Sequence, residues 1–169
     1  MIVEDIAELH VEHANVVRLE ARRQQPHAPA VTIRDLLRAT LRHRPDRIIV
    51  GEVRGGEAFD LLQALNTGHG GTLSTIHANS ATQALARLAS CALQGGVELP
   101  YQAIRQQIAD AIHLVLHLSR TRRRRYVHEV IRVGDYNAAR DAYELETVFI
   151  GADQRPDAEG EYDRATTKD

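Results

Sequence analysis

The amino-acid sequence predicts an α/β fold in which a mostly parallel sheet is followed by an antiparallel strand meander. Helix-like and strand-like segments alternate over the first two thirds of the chain, which is typical of βαβ units. Residues 47–50 include a short, continuous apolar run, as expected for a strand buried on both faces of a parallel sheet. After Ala111, apolar residues recur at every second position, which is the period of a β-strand.

Composition indicates one domain with its own core, because the chain has 169 residues. The 21 basic and 23 acidic residues nearly balance, so the global positive field of a nucleic-acid-binding protein is excluded. A single cysteine, Cys91, excludes a disulfide framework and fits a reducing compartment. No apolar run is long enough to span a bilayer, and the acidic N-terminal residues do not resemble a signal peptide.

The first elements are two short strands and a helix. Strands are predicted at residues 1–5 and 16–19, and a Pro-containing loop follows. Thr32 and Asp35 have the spacing of a capping box, which marks a helix N-terminus. The helix ends at Pro45, and its apolar face comprises Ile33, Leu36, Leu37 and Leu41.

Beyond the strand at residues 47–50, three helices and a further strand are predicted. Gly68 closes the first helix, a strand follows at residues 72–76, Ser80 and Gln83 cap the second helix, and Pro100 begins the third. The apolar positions that define the three helices are Ala58, Leu61, Leu62 and Leu65, then Ala84, Leu85 and Leu88, and finally Ile104 and Ile108.

The last third is predicted to be a meander. Ile112 to Leu118 alternate with a period of two, and strands at residues 126–133 and 143–150 are separated by a turn at Gly134-Asp135. Residues 1–150 are therefore expected to form the domain. Residues 151–169 are acidic, polar and aperiodic, and we expect them to be a disordered tail.

A carboxylate directly follows the buried strand: Glu52 lies one glycine, Gly51, beyond the apolar run. In an open parallel sheet, ligands bind beyond the carboxyl ends of the strands. A carboxylate there can hold a Mg²⁺-bound water or polarise an attacking water. Taken alone, Glu52 would be better explained as an acid favoured by a helix N-terminus. The glycines on both sides of Glu52 leave room for a ligand and favour the catalytic interpretation.

Two histidines flank the next predicted strand. Thr67-Gly68-His69 enters it and His77 ends it, so the two rings would lie at opposite ends of a straight strand. Glycines beside His69 would let the backbone approach a phosphate group. For an isolated pair, one surface histidine and one core histidine would be the better interpretation. A zinc site is a weak alternative, because the spacing does not match usual zinc motifs and the only cysteine lies in a helix.

Other charged residues are further candidates. Glu4 and Asp5 are either a frayed acidic terminus or a second carboxylate pair facing the same site, and the pattern does not distinguish the two. Among the arginines around the Glu52 strand, Arg44 and Arg54 flank the strand ends. They are the better candidates for a guanidinium that reaches phosphate.

Three segments carry a resemblance to a known family: VED at residues 3–5, LRHRPDRIIVGEVRGGEA at 41–58 and NTGHGGTLSTIHANS at 66–80. Their order resembles the secretion ATPase superfamily, the hexameric motors of type IV secretion, conjugation, type II secretion and pilus assembly. The fit is best to the conjugal-transfer and Flp-pilus branch. The resemblance covers residues 1–150 and implies a partial RecA-like P-loop NTPase core, with helices on both faces of the sheet.

The resemblance also implies cofactors, ATP and Mg²⁺, and roles for the candidate residues. Glu4 and Asp5 match the Asp box, residues 47–52 the Walker B motif, and residues 67–77 the His box. Glu52 would polarise the attacking water, Glu4 would assist it, and both would contact the metal through bound water. His69 and His77 would sense the γ-phosphate. The other implied nucleotide contacts are Asp5, Arg44, Gly51, Arg54, Thr67 and Gly68.

The implied partners are identical or full-length subunits in a hexameric ring and components of an inner-membrane secretion apparatus. The implied location is the cytoplasmic face of the inner membrane, and no direct readout of nucleic acid is expected. One departure matters: family members carry a GxxxxGK[ST] phosphate loop upstream of the Asp box, and this chain contains no such motif. Two hypotheses follow, a partial motor domain that is inactive alone and a non-enzymatic remnant that binds partner subunits.

Overall fold

The computed structural model describes residues 1–96, 98–122 and 124–151, and it confirms the mixed α/β fold. A parallel sheet in the order β2-β1-β3-β4 contains β1 (Ile2–Glu4), β2 (Arg18–Glu20), β3 (Ile49–Val53) and β4 (Leu73–Ile76). An antiparallel sheet in the order β5-β6-β7 contains β5 (Leu114–Arg120), β6 (Arg125–Asn137) and β7 (Ala142–Ile150). The helices are α1 (Ile33–Leu41), α2 (Glu57–Asn66), α3 (Ala81–Leu93) and α4 (Tyr101–Ala111).

Local capping chemistry sets the helix ends that the sequence predicted. At α1, the Asp35 amide donates to Thr32 Oγ1 at 3.2 Å, and the Thr32 amide donates to Asp35 Oδ2 at 2.9 Å, which completes a capping box. At α3, the Gln83 amide donates to Ser80 Oγ at 3.1 Å. Helix α2 ends at Asn66, and Gly68 follows with a φ of 99°, a conformation that glycine adopts without strain.

One apolar core joins the two sheets. Val50 and Val53 from β3, Ile131 and Val133 from β6, and buried residues of all four helices belong to the same cluster. Because Val3 is paired with Val50 and Ile2 with Ile49, Val3 shares the helix-covered face and Ile2 shares the opposite face. The described residues therefore supply helices to one face of the parallel sheet.

The opposite face carries a groove of about 490 Å³, whose lining includes Ile2, Val11, Val16 and Ile49. None of the described helices is long and apolar enough to cross a bilayer.

The predicted turn at Gly134-Asp135 is wrong. Strand β6 runs on to Asn137, and the turn lies at residues 138–141, where Asp141 has a φ of 48°. The pairing of β6 with β7 shifts register between Val133 and Tyr136, so the glycine marks an irregularity inside a long strand. The predicted tail lies outside the described residues apart from Gly151.

The turn between β6 and β7 is held against α4 by Arg105. Its guanidinium lies 3.5 Å from Asp141 Oδ1 and 4.5 Å from the centre of the Tyr143 ring. The Tyr136 hydroxyl donates to the same Asp141 oxygen at 2.5 Å. Burial raises the pKa of Tyr143 to about 12, which keeps the phenol neutral beside the cation over the physiological range.

Candidate functional site

The carboxyl ends of β1, β3 and β4 meet at one edge of the parallel sheet, because all three strands run in the same direction. Glu4 ends β1, Glu52 lies near the end of β3, and His77 follows β4. Asp5 and Arg54 come directly after their strands and reach the same edge. Topology thus brings five of the sequence-predicted residues together: Glu4, Asp5, Glu52, Arg54 and His77.

Glu52 is the centre of this group. Arg54 Nη2 donates to Glu52 Oε1, and His77 Nε2 lies 3.7 Å from Glu52 Oε2. Arg54 Nη1 also lies 3.9 Å from Asp5 Oδ2, so one guanidinium links the two acids. The Glu52 side chain is 23% exposed, whereas the His77 side chain is 90% exposed. The cluster is therefore open to solvent on the histidine side.

The two oxygens of Glu52 have different environments. Oε1 accepts from Arg54, whereas Oε2 is inaccessible to solvent and has no hydrogen-bond donor in the described part of the chain. The hydrogen bond from Arg54 lowers the pKa of Glu52 below its usual range; partial burial acts in the opposite direction, and the charges of Arg54 and His77 lower it further. Glu52 is therefore held as a carboxylate with one oxygen left for a further partner.

Glu4 has a different environment from Glu52. It is buried, and its Oε1 accepts hydrogen bonds from the backbone amides of Glu8 at 2.9 Å and Leu9 at 2.8 Å. Its Oε2 lies 4.0 Å from Arg18 Nη1. In this structure Glu4 fixes the loop that follows β1. The sequence pattern did not predict this structural role for Glu4.

Gly51 provides the space that Glu4 occupies. A Cβ atom at Gly51 would lie 3.2 Å from Glu4 Cγ, closer than side chains normally pack. The glycine before Glu52 thus admits a protein side chain in this structure, whereas the sequence pattern had suggested room for a ligand.

Two residues that the sequence analysis did not single out hold the Glu52 loop. Glu57, in the first turn of α2, accepts the backbone amides of Arg54 at 2.6 Å and Gly55 at 2.7 Å. Thr75 in β4 donates its hydroxyl to the Gly51 carbonyl at 2.7 Å. Glu57 is the first residue of α2, and an acid in the first turn of a helix, which the helix dipole favours, was the available signal for it.

Four predicted site residues lie elsewhere. His69 precedes the amino end of β4 and contacts the end of α2, with Nδ1 3.2 Å from the Ala64 carbonyl oxygen. Thr67 caps α2 by donating its hydroxyl to the Gln63 carbonyl at 2.8 Å, and Gly68 follows it. Arg44 is exposed before the amino end of β3, with a φ of 48°. None of these four is brought to the Glu52 cluster.

The side chains at the carboxyl edge of the parallel sheet limit the chemistry that this edge can support. Glu52 Oε2 could accept a hydrogen bond from water or from a metal-bound water only after a movement that exposes it, because it is inaccessible to solvent here. Arg54 and His77 could face an anion. The described residues contain no group of three or more His, Cys, Asp or Glu side chains that could hold a metal ion directly. The chain also has no GxxxxGK[ST] loop to wrap a β-phosphate. This edge therefore presents a carboxylate beside an arginine and a histidine, without a phosphate-wrapping loop of this chain.

Comparison with known proteins identifies relatives over most of the chain. The sequence model of a family described as "Type II/IV secretion system protein" matches residues 1–145. The conjugal transfer protein TrbB of Rhizobium radiobacter is 41% identical over 136 residues, which are 80% of this chain and 39% of TrbB. The type IV secretion system protein VirB11 of Brucella suis is 37% identical over 122 residues, 69% of this chain and 34% of VirB11.

Solved structures agree with these sequence relationships. The crystal structure of the VirB11 ATPase from Brucella suis superposes with a TM-score of 0.67 at 36% identity, covering 76% of this chain and 38% of that one. The ATPase DotB of Legionella pneumophila superposes with a TM-score of 0.56 at 25% identity, covering 78% of this chain and 36% of that one. The chain thus spans between a third and two fifths of the length of these relatives.

Proposed function

The chain belongs to the type II/IV secretion system protein family, and from this premise we propose that it is part of a hexameric motor ATPase. Such a motor couples ATP hydrolysis to substrate transport, conjugation or pilus assembly. The observation that carries the proposal is the environment of Glu52. Arg54 favours the ionised form of this carboxylate at the carboxyl edge of the parallel sheet. Among the described residues Oε2 accepts no hydrogen bond, and it lies 3.7 Å from His77 Nε2.

Each residue of the cluster has a role that its contacts support. Glu52 orients a water molecule through Oε2, which has no hydrogen-bond donor among the described residues. Because Oε2 is inaccessible to solvent in this structure, this role requires a movement that opens it to water. Arg54 keeps Glu52 ionised and aligned, and Asp5 restrains Arg54 from the other side. His77, which is largely exposed, is positioned to contact an anion that approaches Glu52. Glu4 supports the loop beside them, and its proposed assistance to the water or to Mg²⁺ would require release of its backbone contacts.

We propose ATP and Mg²⁺ as the cofactors. The part of their binding site that this chain does not contain is the phosphate loop. A phosphate loop surrounds the β-phosphate with backbone N–H groups and adds a lysine charge. The glycines near His69 lie at the other end of β4 and do not substitute for it. We therefore expect the 169-residue chain alone to have no ATPase activity.

The partners proposed are identical or full-length subunits in a ring and the inner-membrane part of a secretion apparatus, reached from the cytoplasmic side. No direct readout of nucleic acid is proposed, because the nearly balanced net charge gives no overall positive field. The second candidate function is a non-enzymatic remnant that binds partner subunits. The extensive internal contacts of Glu4 favour it, since they make one of the two predicted acids structural.

A chimera tests the proposal. The chain replaces the matching 136-residue region of Rhizobium radiobacter TrbB, and ATP turnover and nucleotide affinity are measured in one preparation. We expect hydrolysis by the chimera and a loss of about 100-fold or more in Glu52→Gln, with affinity changed less than about threefold, because the carboxylate acts in the transition state. Glu98→Gln, an exposed acid outside the cluster, is the matched control. Equal turnover in the Glu52→Gln chimera and its parent would reject the role of Glu52, whereas a parent chimera that binds nucleotide and does not hydrolyse it would favour the remnant.

A further inference from the structure

A polar pocket adjoins the Glu52 cluster and extends beyond it. Its volume of about 460 Å³ lies in the range of about 300–1,000 Å³ that is typical of pockets for small ligands. The described residues that line it are His77, Ala78, Asn79, Gln83 and Arg87. His77 belongs to both the pocket and the cluster, because its Nε2 lies 3.7 Å from Glu52 Oε2. The pocket therefore lies on the histidine side of the cluster, which is the side open to solvent.

The end of β4 and the exposed face of α3 form this pocket. His77 follows β4, and Ser80 caps α3 by accepting the Gln83 amide at 3.1 Å. Gln83 and Arg87 are both exposed, and they lie on the same face of the helix because they are four residues apart. Buried residues on the other side of α3 anchor the helix in the apolar core. The position of the Arg87 backbone relative to His77 is therefore fixed by the fold.

The lining of the pocket favours a small, polar, negatively charged ligand. Among the described residues that line it, the polar side chains are an imidazole, a guanidinium and two amides, and none is acidic. Ala78 is the one apolar residue in this set, so the pocket offers little of the apolar surface that would hold a nucleoside base. Guanidinium, imidazole and amide groups all donate hydrogen bonds, which suits a compact oxyanion.

The charge of Arg87 is available to such a ligand. Within the part of the chain that the structure describes, its guanidinium forms no ion pair and donates no hydrogen bond. The nearest acid of the cluster, Glu52, is already paired, because Arg54 Nη2 donates to its Oε1. Repulsion between the Glu52 carboxylate and an anion in the pocket is reduced by this pairing.

We propose that this pocket binds the inorganic phosphate that ATP hydrolysis releases, and that Arg87 is its main contact. The inference rests on the proposed function, because the phosphate would arise beside Glu52, where the attacking water is proposed to be held. His77, which touches both Glu52 and the pocket, would contact the phosphate as it leaves the cluster. Asn79 and Gln83 add neutral donors, so the phosphate is held after cleavage and before its release to solvent.

Phosphate titration of the isotope-labelled 169-residue chain tests the pocket without hydrolysis, since the chain has no GxxxxGK[ST] loop that would bind phosphate instead. At fixed pH and ionic strength, sodium phosphate should shift the NMR signals of the His77 ring. Arg87→Gln should weaken the phosphate affinity at least about tenfold, because a charge-assisted hydrogen bond is lost. Arg87→Lys keeps the charge and should weaken the affinity less. Arg140→Gln, at an exposed arginine in the turn between β6 and β7, is the matched control and should not change it.

Sodium acetate distinguishes a phosphate site from a site for the acidic side chain of a partner protein. Acetate should bind at least about tenfold more weakly than phosphate, because a phosphate group has more charge and more acceptor oxygens than a carboxylate. Equal affinities for acetate and phosphate would overturn the proposal. A phosphate affinity that is the same in Arg87→Gln and in the parent chain would overturn it as well.

The TrbB chimera separates this inference from the proposed function. In the chimera, Arg87→Gln should raise the inhibition constant of phosphate at least about tenfold, while the affinity for ATP changes less than about threefold. Phosphate binding that depends on Arg87 in the isolated chain, together with a chimera that does not hydrolyse ATP, would support the phosphate site and reject the motor activity. Turnover by the chimera with phosphate inhibition unchanged in Arg87→Gln would support the motor activity and overturn the phosphate site.

Discussion

At the scale of single residues, Glu4 and Glu52 lie at the same carboxyl edge of the sheet but differ in their hydrogen bonding. Glu4 accepts two backbone amides at Oε1, whereas Glu52 accepts a hydrogen bond from Arg54 at Oε1 and has no hydrogen-bond donor at Oε2 among the described residues. The difference arises from Gly51, whose missing side chain lets Glu4 fold inward, and from Arg54, which is two residues beyond Glu52 and turns back to it. The sequence pattern identifies both residues as acids at strand ends, but it does not predict that their hydrogen-bond partners differ.

Arg54 should control the ionisation of Glu52. Its hydrogen bond is the largest cause of the lowered pKa, and burial opposes it. In Arg54→Gln we therefore expect the pKa of Glu52 to rise to its ordinary value or above, measured by carbon NMR titration of the labelled carboxyl. Arg22→Gln, at an exposed arginine away from the cluster, should leave it unchanged. An unchanged Glu52 titration in Arg54→Gln would show that the ion pair does not form in solution.

The ion pair of Arg54 and Glu52 also predicts how the free energy of unfolding changes with pH. Because the folded-state pKa of Glu52 lies below its unfolded value, the pair stabilises the fold above the unfolded pKa, and this contribution is lost as pH falls through the folded pKa. The difference in unfolding free energy between parent and Arg54→Gln should therefore be present near neutrality and should diminish in acid. A difference that grows on acidification would contradict the assignment of Arg54 as the partner of Glu52.

At the scale of elements, the sequence predicts best where a local interaction determines the structure. The capping box at Thr32 and Asp35 and the strand ending near Glu52 follow from side chains within a few residues of one another. The turn between β6 and β7 could not be predicted in this way. Gly134-Asp135 is the stronger turn signal in the sequence, yet Arg105 of α4 fixes the turn at Asp141 through tertiary contacts. The meeting of Glu52 with His77 likewise depends on β3 and β4 being neighbours, which their sequences do not encode locally.

The approach of α2 to the end of α3 depends on a pair of glycines. A Cβ atom at Gly56 would lie 2.8 Å from the Gly95 Cα and 2.9 Å from its amide nitrogen. The φ of Gly56 is −61°, which suits alanine, so the obstacle is purely steric. We expect Gly56→Ala to destabilise the fold by about 1–3 kcal/mol, the usual cost of overpacking, in denaturant unfolding.

Gly70→Ala is the matched control for that substitution, because a Cβ atom at Gly70 would meet nothing within 4 Å and its φ is not positive. It should change the unfolding free energy by less than about 0.5 kcal/mol. Equal effects of the two substitutions would show that the contact between residues 56 and 95 is not maintained in solution.

At the scale of the whole molecule, the structure combines a well-packed core with an exterior on which large apolar side chains are exposed. Buried side chains from four helices and both sheets form one cluster, which is enough to hold the carboxyl edge in place. Among the described residues, β4 has a strand neighbour on one side only, and several leucines are exposed on the sheet faces away from the helices. The family resemblance identified the family and grouped His69, Thr67, Gly68 and Arg44 with Glu52. The fold places these four residues away from Glu52, as the spacing of His69 and His77 along one strand had indicated for the histidine.

We expect the isolated chain to be marginally stable and to associate, because open edges and exposed apolar faces promote contact between copies. Thermal unfolding should be broad and should shift with protein concentration, and a dye that binds apolar surface should fluoresce in its presence. Leu116→Glu with Leu118→Glu should lessen both the association and the dye signal, since charges on the exposed apolar face of β5 oppose its burial. Val17→Glu, an equally polar change beside β2, should leave both largely unaltered. A sharp, concentration-independent transition of a monomer would show instead that the single core suffices, and that the exposed leucines do not require a partner for folding.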